Sequence, residues 1–402
     1  MNWKKSNKRC SGWFVFSVTV DSSTLLTINR IAFILLAIGL LSCGKDVSLD
    51  MGNAMLNLPE EPHDYSSFEI PGYLDRDLIL LQDNTPLDNE LDNNVVTLGR
   101  VLFYDKLLSV DQSLSCASCH QQQFGFSDTA RFSVGFDGQE TRRHSMALAN
   151  IRYRPGATFF WDGRATSIEH QVLQPIEDPV EMNLSLDSAV ARIQSTSYYP
   201  DLFEKAFGSD EVTRTKIARS LAQFTRALIS VGSRYDKGMS IHGRIEDFSN
   251  FTAEENFGKA LFFNPDKGFC SGCHYTDLFI MDIPRNNGLE WEVSNDLDAG
   301  FEEVTGSNLD FRKFIAPSLR NIAVRPPYMH DGRFSTLEQV VRHYSDEIHW
   351  SVSLDNHLKS SDPSKAKRFN LDDNEISAIA AFLGTLTDDE FLHDEKFSSP
   401  FQ

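Results

Sequence analysis

The sequence predicts a mainly α-helical protein that consists of two related halves joined by long structured loops. Two segments, LGRVLFYD at 98–105 and FGKALFFN at 257–264, repeat the same order of apolar, small and aromatic residues. Because a pair of cysteines follows each segment, two copies of one domain explain the repeat most simply. The Pro- and Gly-containing stretches between the helical segments lack the apolar alternation of strands, which favours a helical protein with long loops.

Helical spacing is clearest in a predicted helix that closes the first half. Its apolar stripe consists of Ile217, Leu221, Phe224 and Leu228. A stripe of this kind packs one helix face against a core. Three more helices are predicted to begin at capping boxes, in which a Ser, Thr or Asp cap is completed by a Glu three residues later. These pairs are Ser335 with Glu338, Thr252 with Glu255, and Asp372 with Glu375.

The composition is that of a soluble protein with an acidic surface. Hydrophobic residues make up 41% and charged residues 24% of the chain, and the formal net charge is −19. Such a charge excludes nucleic acid or an anionic lipid surface as the main partner and favours a basic one. A surface that only maintains solubility is the other interpretation of this charge.

The first 43 residues differ from the rest and predict export. Their apolar runs, 13–20 and 31–41, are both shorter than the roughly 18 residues of a membrane-spanning helix. The sequence LLSC at 40–43 resembles a bacterial lipobox, whose cysteine becomes the lipidated N-terminus. We therefore expect a periplasmic protein that contacts the membrane only through a lipid on Cys43. An ordinary signal peptide with a chance cysteine is the alternative.

Composition and repeats together predict four segments. The stretch after the export signal is rich in Asp, Asn, Pro and Glu, which indicates a tether and a wrapping N-terminal arm. The predicted segments are an export segment at 1–43, the arm at 44–94, a first domain with one cysteine pair at 95–245 and a second domain with the other pair at 246–402.

Each half carries one Cys-x-x-Cys-His motif, CASCH at 116–120 and CSGCH at 270–274, which is the attachment sequence of c-type haem. Two thiols at this spacing reach the two vinyl groups of a porphyrin, and the next imidazole ligates the iron. Zinc sites and redox disulfides also use paired cysteines, but neither requires a histidine directly after both pairs. We expect two covalent haems, held by Cys116, Cys119 and His120 and by Cys270, Cys273 and His274.

Motifs outside the haem segments resemble those of bacterial di-haem cytochrome c peroxidases and MauG. FWDGR at 160–164 and PVEM at 179–182 resemble the N-terminal domain of that family, and APSLRN at 316–321 and PYMHDG at 327–332 resemble its C-terminal domain. The resemblance covers nearly all of the chain after residue 94. It implies two cytochrome c-like domains, with the haems on either side of the interface between them.

The resemblance also implies roles for particular residues. His120 would ligate the haem that reacts with hydrogen peroxide, with Gln171 and Glu181 on the open face of that haem. Glu181 would be the acid/base that moves a proton between the peroxide oxygens; a solvated loop carboxylate is the alternative. Trp161 would relay electrons between the haems, although a tryptophan in an aromatic run is often only part of a core.

One departure from the family concerns the first iron. Classical members have the loop Ser-x-Gly-His, whose histidine blocks that iron until the other haem is reduced. This chain has SVGF at 133–136, and Phe136 cannot ligate. The alignment therefore implies a five-coordinate haem that is ready for peroxide, unless His144 or His170 takes the place of the missing ligand.

A second departure concerns the other iron, where classical members have a methionine fourteen residues after the histidine of the Pro-Tyr-x-His segment. Counting from His330 gives Tyr344, and a tyrosine at this place resembles the axial ligand of MauG. Leu337, Val340 and Val341 share the helical face of Tyr344, so its ring should point inward. A phenolate ligand favours oxidised iron. A buried tyrosine with a purely structural role is the alternative.

The family also binds calcium between its domains through one asparagine side chain and backbone oxygens. His144 occupies the asparagine position here, and imidazole is a poor ligand for a hard cation. Backbone ligands near Arg325 and Pro327 remain available. Calcium is therefore not favoured as a cofactor.

Three functions follow from these patterns. The first is a peroxidase that takes electrons from a small redox protein, such as a cytochrome c or a cupredoxin. The second is a MauG-like enzyme that oxidises a protein or another organic substrate, which Phe136 and Tyr344 favour. The third is an electron-transfer cytochrome without catalysis, which requires two six-coordinate irons. The sequence leaves open whether the protein is a homodimer.

Overall fold

Helices joined by long loops make up this computed structural model, which describes residues 56–401 except Asp75, Asp282 and 291–297. The predicted export segment and Cys43 lie outside the described residues. Within the described part, β-structure is limited to isolated bridges, which confirms the mainly α-helical prediction. The helices are α1 (Arg76–Gln82), α2 (Asn93–Tyr104), α3 (Cys116–Cys119), α4 (Ile168–Gln171), α5 (Gln174–Glu177), α6 (Leu186–Gln194), α7 (Tyr199–Phe207), α8 (Arg214–Ala227), α9 (Arg234–His242), α10 (Ala253–Phe263), α11 (Glu302–Thr305), α12 (Leu337–Asp346), α13 (Asp373–Gly384) and α14 (Asp389–His393).

The internal repeat corresponds to two helix pairs that pack in the same way. Helix α2 contains the first copy and packs against α8, and α10 contains the second copy and packs against α13. The glycine at the second position of each copy permits this contact. A Cβ atom would lie 1.9 Å from the Ser220 carbonyl oxygen at Gly99, and 1.8 Å from the Ala378 carbonyl oxygen at Gly258. The repeat therefore preserves a close helix crossing that a side chain would block.

Two of the three predicted capping boxes are present, at the starts of α10 and α13. The third prediction was wrong by one residue, because Thr336 and Gln339 form the box instead of Ser335 and Glu338. The Gln339 side-chain oxygen also accepts the backbone N–H of Ser335 at 2.8 Å. The same oxygen accepts the backbone N–H of Thr336 at 3.2 Å. Because these two N–H groups precede the helix and are satisfied by Gln339, α12 begins after Thr336.

Two hydrophobic clusters form the core and follow the two halves of the sequence. The first contains the buried faces of α2, α7 and α8, including Ile217, Leu221, Phe224 and Leu228 of the predicted stripe. The second contains α10, α12 and α13. Phe391 and Phe397, near the C-terminus, return to the first cluster.

The described residues, from Leu56 onward, form one compact unit, and the division into domains at 95–245 and 246–402 stays a prediction. Among the described helices, none combines the length and hydropathy that crossing a bilayer requires.

Candidate haem sites

The first candidate site is a cavity of about 860 Å³ that brings together residues far apart in sequence. Cys116, Cys119 and His120 line one part of it, and Gln171 and Glu181 also line it. The predicted thiols, imidazole, amide and carboxyl group therefore meet around one space.

The local fold around His120 prepares its imidazole for metal binding. The Ser118 hydroxyl accepts the backbone N–H of Ser115 at 3.0 Å and closes the start of α3. Nδ1 of His120 lies 3.0 Å from the carbonyl oxygen of Phe126. Because a carbonyl can only accept, Nδ1 carries the proton and Nε2 keeps the lone pair that an iron requires. Burial lowers the pKa of His120, which favours this neutral form.

The second candidate site is a smaller cavity of about 170 Å³, lined by Cys270, Cys273, His274 and Tyr344. His274 repeats the arrangement of the first site, with Nδ1 at 3.2 Å from the carbonyl oxygen of Phe279. Burial lowers the pKa of His274 to about 4, so its ring is neutral at pH 7.

The four motif cysteines keep their thiol groups, because none of them is joined in a disulfide in the described structure. Each cavity thus offers two thiols and one neutral imidazole whose Nε2 is available, and this donor set fits a c-type haem.

Glu181 sits on a short turn that two hydrogen bonds and one glycine hold against the first cavity. Oδ1 of Asp178 accepts the backbone N–H groups of Val180 at 2.8 Å and of Glu181 at 3.2 Å. A Cβ atom at Gly135 would lie 1.6 Å from the Val180 carbonyl oxygen, so only glycine permits this approach. The turn therefore depends on the loop at 133–136.

The Glu181 carboxyl group has an unusual acidity. Burial raises its pKa to about 7, and the Asp178 charge adds to the increase while Arg164 opposes it. At neutral pH both the protonated and the ionised forms are populated. A group in this state can accept and return a proton, as acid/base chemistry requires.

Gln171 ends α4, which an ion pair anchors. The Ser167 side chain caps this helix by accepting the N–H of His170. Glu169 contacts the buried guanidinium of Arg226 at 2.6 Å. The cap and the ion pair together fix the position of α4, and α4 places Gln171 in the wall of the cavity.

Trp161 lies between the two candidate sites and lines both cavities. Its indole Nε1 donates to the carbonyl oxygen of His144 at 2.7 Å. The ring meets the buried ring of His330 edge to face, with centroids 6.2 Å apart. His330 in turn stacks on Phe314 at 3.7 Å. These three rings are in contact along the wall of the second cavity, and Trp161 alone among them also borders the first.

The sequence of this chain is similar to those of known proteins. Residues 93–243 match the model of a family described as di-haem cytochrome c peroxidase. The methylamine utilization protein MauG of Methylorubrum extorquens is 35% identical over 305 residues, which cover 75% of this chain and 80% of that protein. The chain belongs to the di-haem cytochrome c peroxidase family.

Another relative and two solved structures are also similar to this chain. Cytochrome c551 peroxidase of Nitrosomonas europaea is 34% identical over 300 residues, which cover 74% of this chain and 81% of that protein. A MauG-like protein associated with microbial copper homeostasis has a similar crystal structure, with a TM-score of 0.69, 31% identity and coverage of 83% of this chain and 99% of that one.

The di-haem peroxidase BthA of Burkholderia thailandensis shares the fold, with a TM-score of 0.64, 23% identity and coverage of 77% of this chain and 91% of that one.

Three residues bear on the sixth ligand of the first iron: Phe136, at the place of the blocking histidine, and the two alternative ligands His144 and His170. Phe136 is half-buried and is not part of the lining of the first cavity, and its backbone N–H donates to the Glu181 carbonyl oxygen at 3.1 Å. His144 lines the cavity, but Nδ1 lies 3.1 Å from the Ala130 carbonyl oxygen and Nε2 lies 3.5 Å from Oγ of Ser127. His170 is exposed and is not part of that lining.

The bonds of His144 also bear on calcium. Both ring nitrogens already have protein partners, and the backbone N–H donates to the His330 carbonyl oxygen at 2.8 Å. Nitrogen atoms engaged in this way do not form the oxygen cage that calcium requires.

Tyr344 lines the second cavity together with Leu337, Val340 and Val341, as their shared helical face predicted. Its hydroxyl accepts a hydrogen bond from Nδ2 of Asn287 at 3.3 Å. Burial raises the pKa of Tyr344 above its usual value.

Two residues in the wall of the second cavity, Asn287 and Met329, were not predicted from the sequence. The amide nitrogen of Asn287 lies 3.5 Å from Sδ of Met329. The thioether of Met329 is a second candidate ligand of the second iron, beside Tyr344. Met329 lies inside the PYMHDG motif and has a φ of 76°, a backbone conformation that signals a constrained position. Its place in the motif was a signal for Met329, whereas nothing in the local sequence indicated Asn287.

Proposed function

We propose that this protein is a periplasmic di-haem peroxidase that reduces hydrogen peroxide at the His120 site, with electrons that enter through the His274 site. Membership of the family and relatives named cytochrome c peroxidase support a peroxide-reducing oxidoreductase. The observation that carries the proposal is the position of Glu181, whose pKa is about 7, in the wall of the cavity that holds His120.

Reduction of hydrogen peroxide to two water molecules consumes two electrons and two protons and breaks the O–O bond. When bound, the haem supplies an iron that takes up electrons one at a time. Glu181 takes the proton from one peroxide oxygen and returns it to the other, so that the departing oxygen leaves as water. The amide of Gln171 can donate to one oxygen and accept from the other, which orients the peroxide.

Trp161 is the proposed relay between the sites. It lines both cavities, and its hydrogen bond to the His144 carbonyl oxygen holds the ring in one orientation. An indole is a large and oxidisable π system, so Trp161 can act as an intermediate electron carrier between the second site and the first.

A second candidate function is MauG-like oxidation of a protein or organic substrate. The position of Tyr344 in the second cavity favours it, because a phenolate ligand lowers the reduction potential and favours oxidised iron. A site of this kind accepts electrons poorly from a high-potential donor. Relatives named MauG support the same alternative.

A steady-state assay separates the two functions. Purified holoprotein is mixed with hydrogen peroxide and with reduced cytochrome c or a reduced cupredoxin, and oxidation of the donor is followed. We expect sustained turnover that Glu181→Gln lowers strongly. Negligible turnover with every donor, together with rapid oxidation of the protein by peroxide, would support the MauG-like function instead.

Resting-state electron paramagnetic resonance tests a purely electron-transferring cytochrome. The proposal requires one high-spin ferric signal, from an iron with a vacant position, and one low-spin signal. Two low-spin signals would contradict it. We also propose a lipid anchor at Cys43, and a Cys43→Ser protein that remains in the membrane fraction would contradict that part.

A further inference from the structure

Arg325 is a buried cation that has no carboxylate partner among the described residues. Only 5% of the residue is exposed to solvent. One Nη donates to the backbone carbonyl oxygen of Ser318, and Nε has no hydrogen-bond partner in the described part of the chain. Burial lowers the pKa of Arg325 only to about 10, so the guanidinium is charged at pH 7.

Two other buried arginines of this protein, Arg226 and Arg320, are paired with carboxylates. Arg226 contacts Glu169 at 2.6 Å, and Arg320 contacts Asp236 at 2.6 Å. A buried guanidinium is unfavourable unless a negative charge compensates it. The described residues supply that charge at both of these positions and do not supply it at Arg325.

The side chain of Arg325 faces the space where a cofactor belongs. It lines the second cavity together with Cys270, Cys273 and His274. Its positive charge is among the causes that lower the pKa of His274, after burial, and it acts on His144 in the same way. The unpaired cation therefore lies in the wall of the second candidate haem site and within electrostatic reach of both histidines.

We infer that Arg325 binds a propionate carboxylate of the haem attached to Cys270 and Cys273. Every haem c brings two propionates, whose negative charge can compensate Arg325, whereas the Asp355 carboxylate in the same lining is paired with Arg285 at 2.8 Å. A guanidinium presents parallel N–H groups that match the two oxygens of a carboxylate, so the pair is geometrically specific as well as charged. The bond would orient the haem and place a fixed positive charge beside the second iron.

A crystal structure of the holoprotein is the direct test. We expect a propionate oxygen of the second haem within hydrogen-bond distance of the guanidinium, about 3 Å. A structure with both haems in place and both propionates of the second haem turned away from Arg325 would overturn the inference. This test does not depend on peroxide turnover, so it stands even if the protein proves not to be a peroxidase.

Potentiometry tests the charge. Removal of a positive charge beside an iron favours its oxidised state, so Arg325→Gln should lower the midpoint potential of the second haem and shift that of the first haem less. Arg325→Lys keeps the charge and should restore most of the shift. Arg333→Gln removes an equal charge outside the lining of the cavity and is the matched control.

Two results decide the outcome. A folded Arg325→Gln protein with two haems per chain and an unchanged second potential would overturn the inference. An Arg325→Gln protein that does not retain the second haem, while Arg325→Lys retains it, would support the role of the charge in holding the cofactor. The crystal structure decides if neither variant folds.

Discussion

The indole Nε1 of Trp161 donates a hydrogen bond of 2.7 Å to the backbone carbonyl oxygen of His144, and both residues line both candidate haem cavities. This bond ties the proposed relay to the loop that lies between the sites. The orientation of the indole is therefore set by the backbone and does not depend on either cofactor.

Trp161→Phe is expected to slow electron passage between the sites while both haems remain attached. Phenylalanine keeps most of the packing but is harder to oxidise, and it leaves the His144 carbonyl oxygen unpaired, which costs about 1–3 kcal/mol of folding stability. Stopped-flow measurement of reoxidation of the second haem by peroxide checks the rate. Trp350→Phe, at a half-exposed residue that lines neither cavity, is the control. Equal rates in the two variants would contradict a relay at Trp161.

Glu181→Gln is expected to lower peroxide turnover by about 10²–10⁴-fold, the usual contribution of a positioned acid/base. Because burial raises the pKa of Glu181 to about 7, the carboxylate that accepts the proton is scarce at pH 5 and abundant at pH 8. Wild-type turnover should therefore rise with pH, with a midpoint near 7, and the variant should lack this rise. Steady-state rates across this range measure it.

Glu140→Gln is the control for that experiment, because Glu140 also lines the first cavity and is exposed. It should keep the pH profile of the wild type. A Glu181→Gln enzyme with the same pH profile and rate would show that another group moves the proton.

The raised pKa of Glu181 also predicts that the free energy of unfolding contributed by this residue decreases as the pH rises from 4.5 through 7, because the folded protein holds the proton more tightly than the unfolded chain does.

Tyr344→Phe is expected to change the low-spin resonance of the second haem and to raise its midpoint potential, because a phenolate ligand is lost. Tyr328→Phe alters another tyrosine in the lining of the same cavity and should leave both properties unchanged. Electron paramagnetic resonance and potentiometry measure these effects. If Tyr344→Phe has no effect and Met329→Leu does, the thioether of Met329 is the ligand.

Gly135→Ala is expected to destabilise the protein by about 1–3 kcal/mol, the usual cost of an overpacked contact. Its Cβ atom would lie 1.6 Å from the Val180 carbonyl oxygen, so the turn that carries Glu181 must move. Denaturant unfolding measures the loss of stability, and peroxide turnover should fall as well. Gly384→Ala, where an added Cβ meets nothing within 4 Å, is the control and should not lose stability. Full stability and turnover in Gly135→Ala would show that the turn tolerates a side chain.

Much of this protein could be predicted from short-range patterns. The two Cys-x-x-Cys-His motifs bring thiols and imidazole together within five residues, so their chemistry needs no knowledge of the fold. The repeated glycines at 99 and 258 lie in matching helices that cross closely. The capping box of α12 was placed one residue too early, because Ser335 and Thr336 can both act as a cap and only the helix geometry selects one.

By itself, the sequence determined the helical class, the paired haem motifs and the tyrosine at 344, because each depends on spacing along the chain. The family resemblance implied that Glu181 and Trp161 lie at the haems. Only the tertiary structure decided that Glu181 and His120 line one cavity, that Trp161 borders both cavities and that Arg325 is buried without a carboxylate partner in the described residues. Those relationships join loops that are tens of residues apart. Packing and desolvation determine these relationships. No local sequence pattern shows that the buried charge of Arg325 has no carboxylate partner among the described residues.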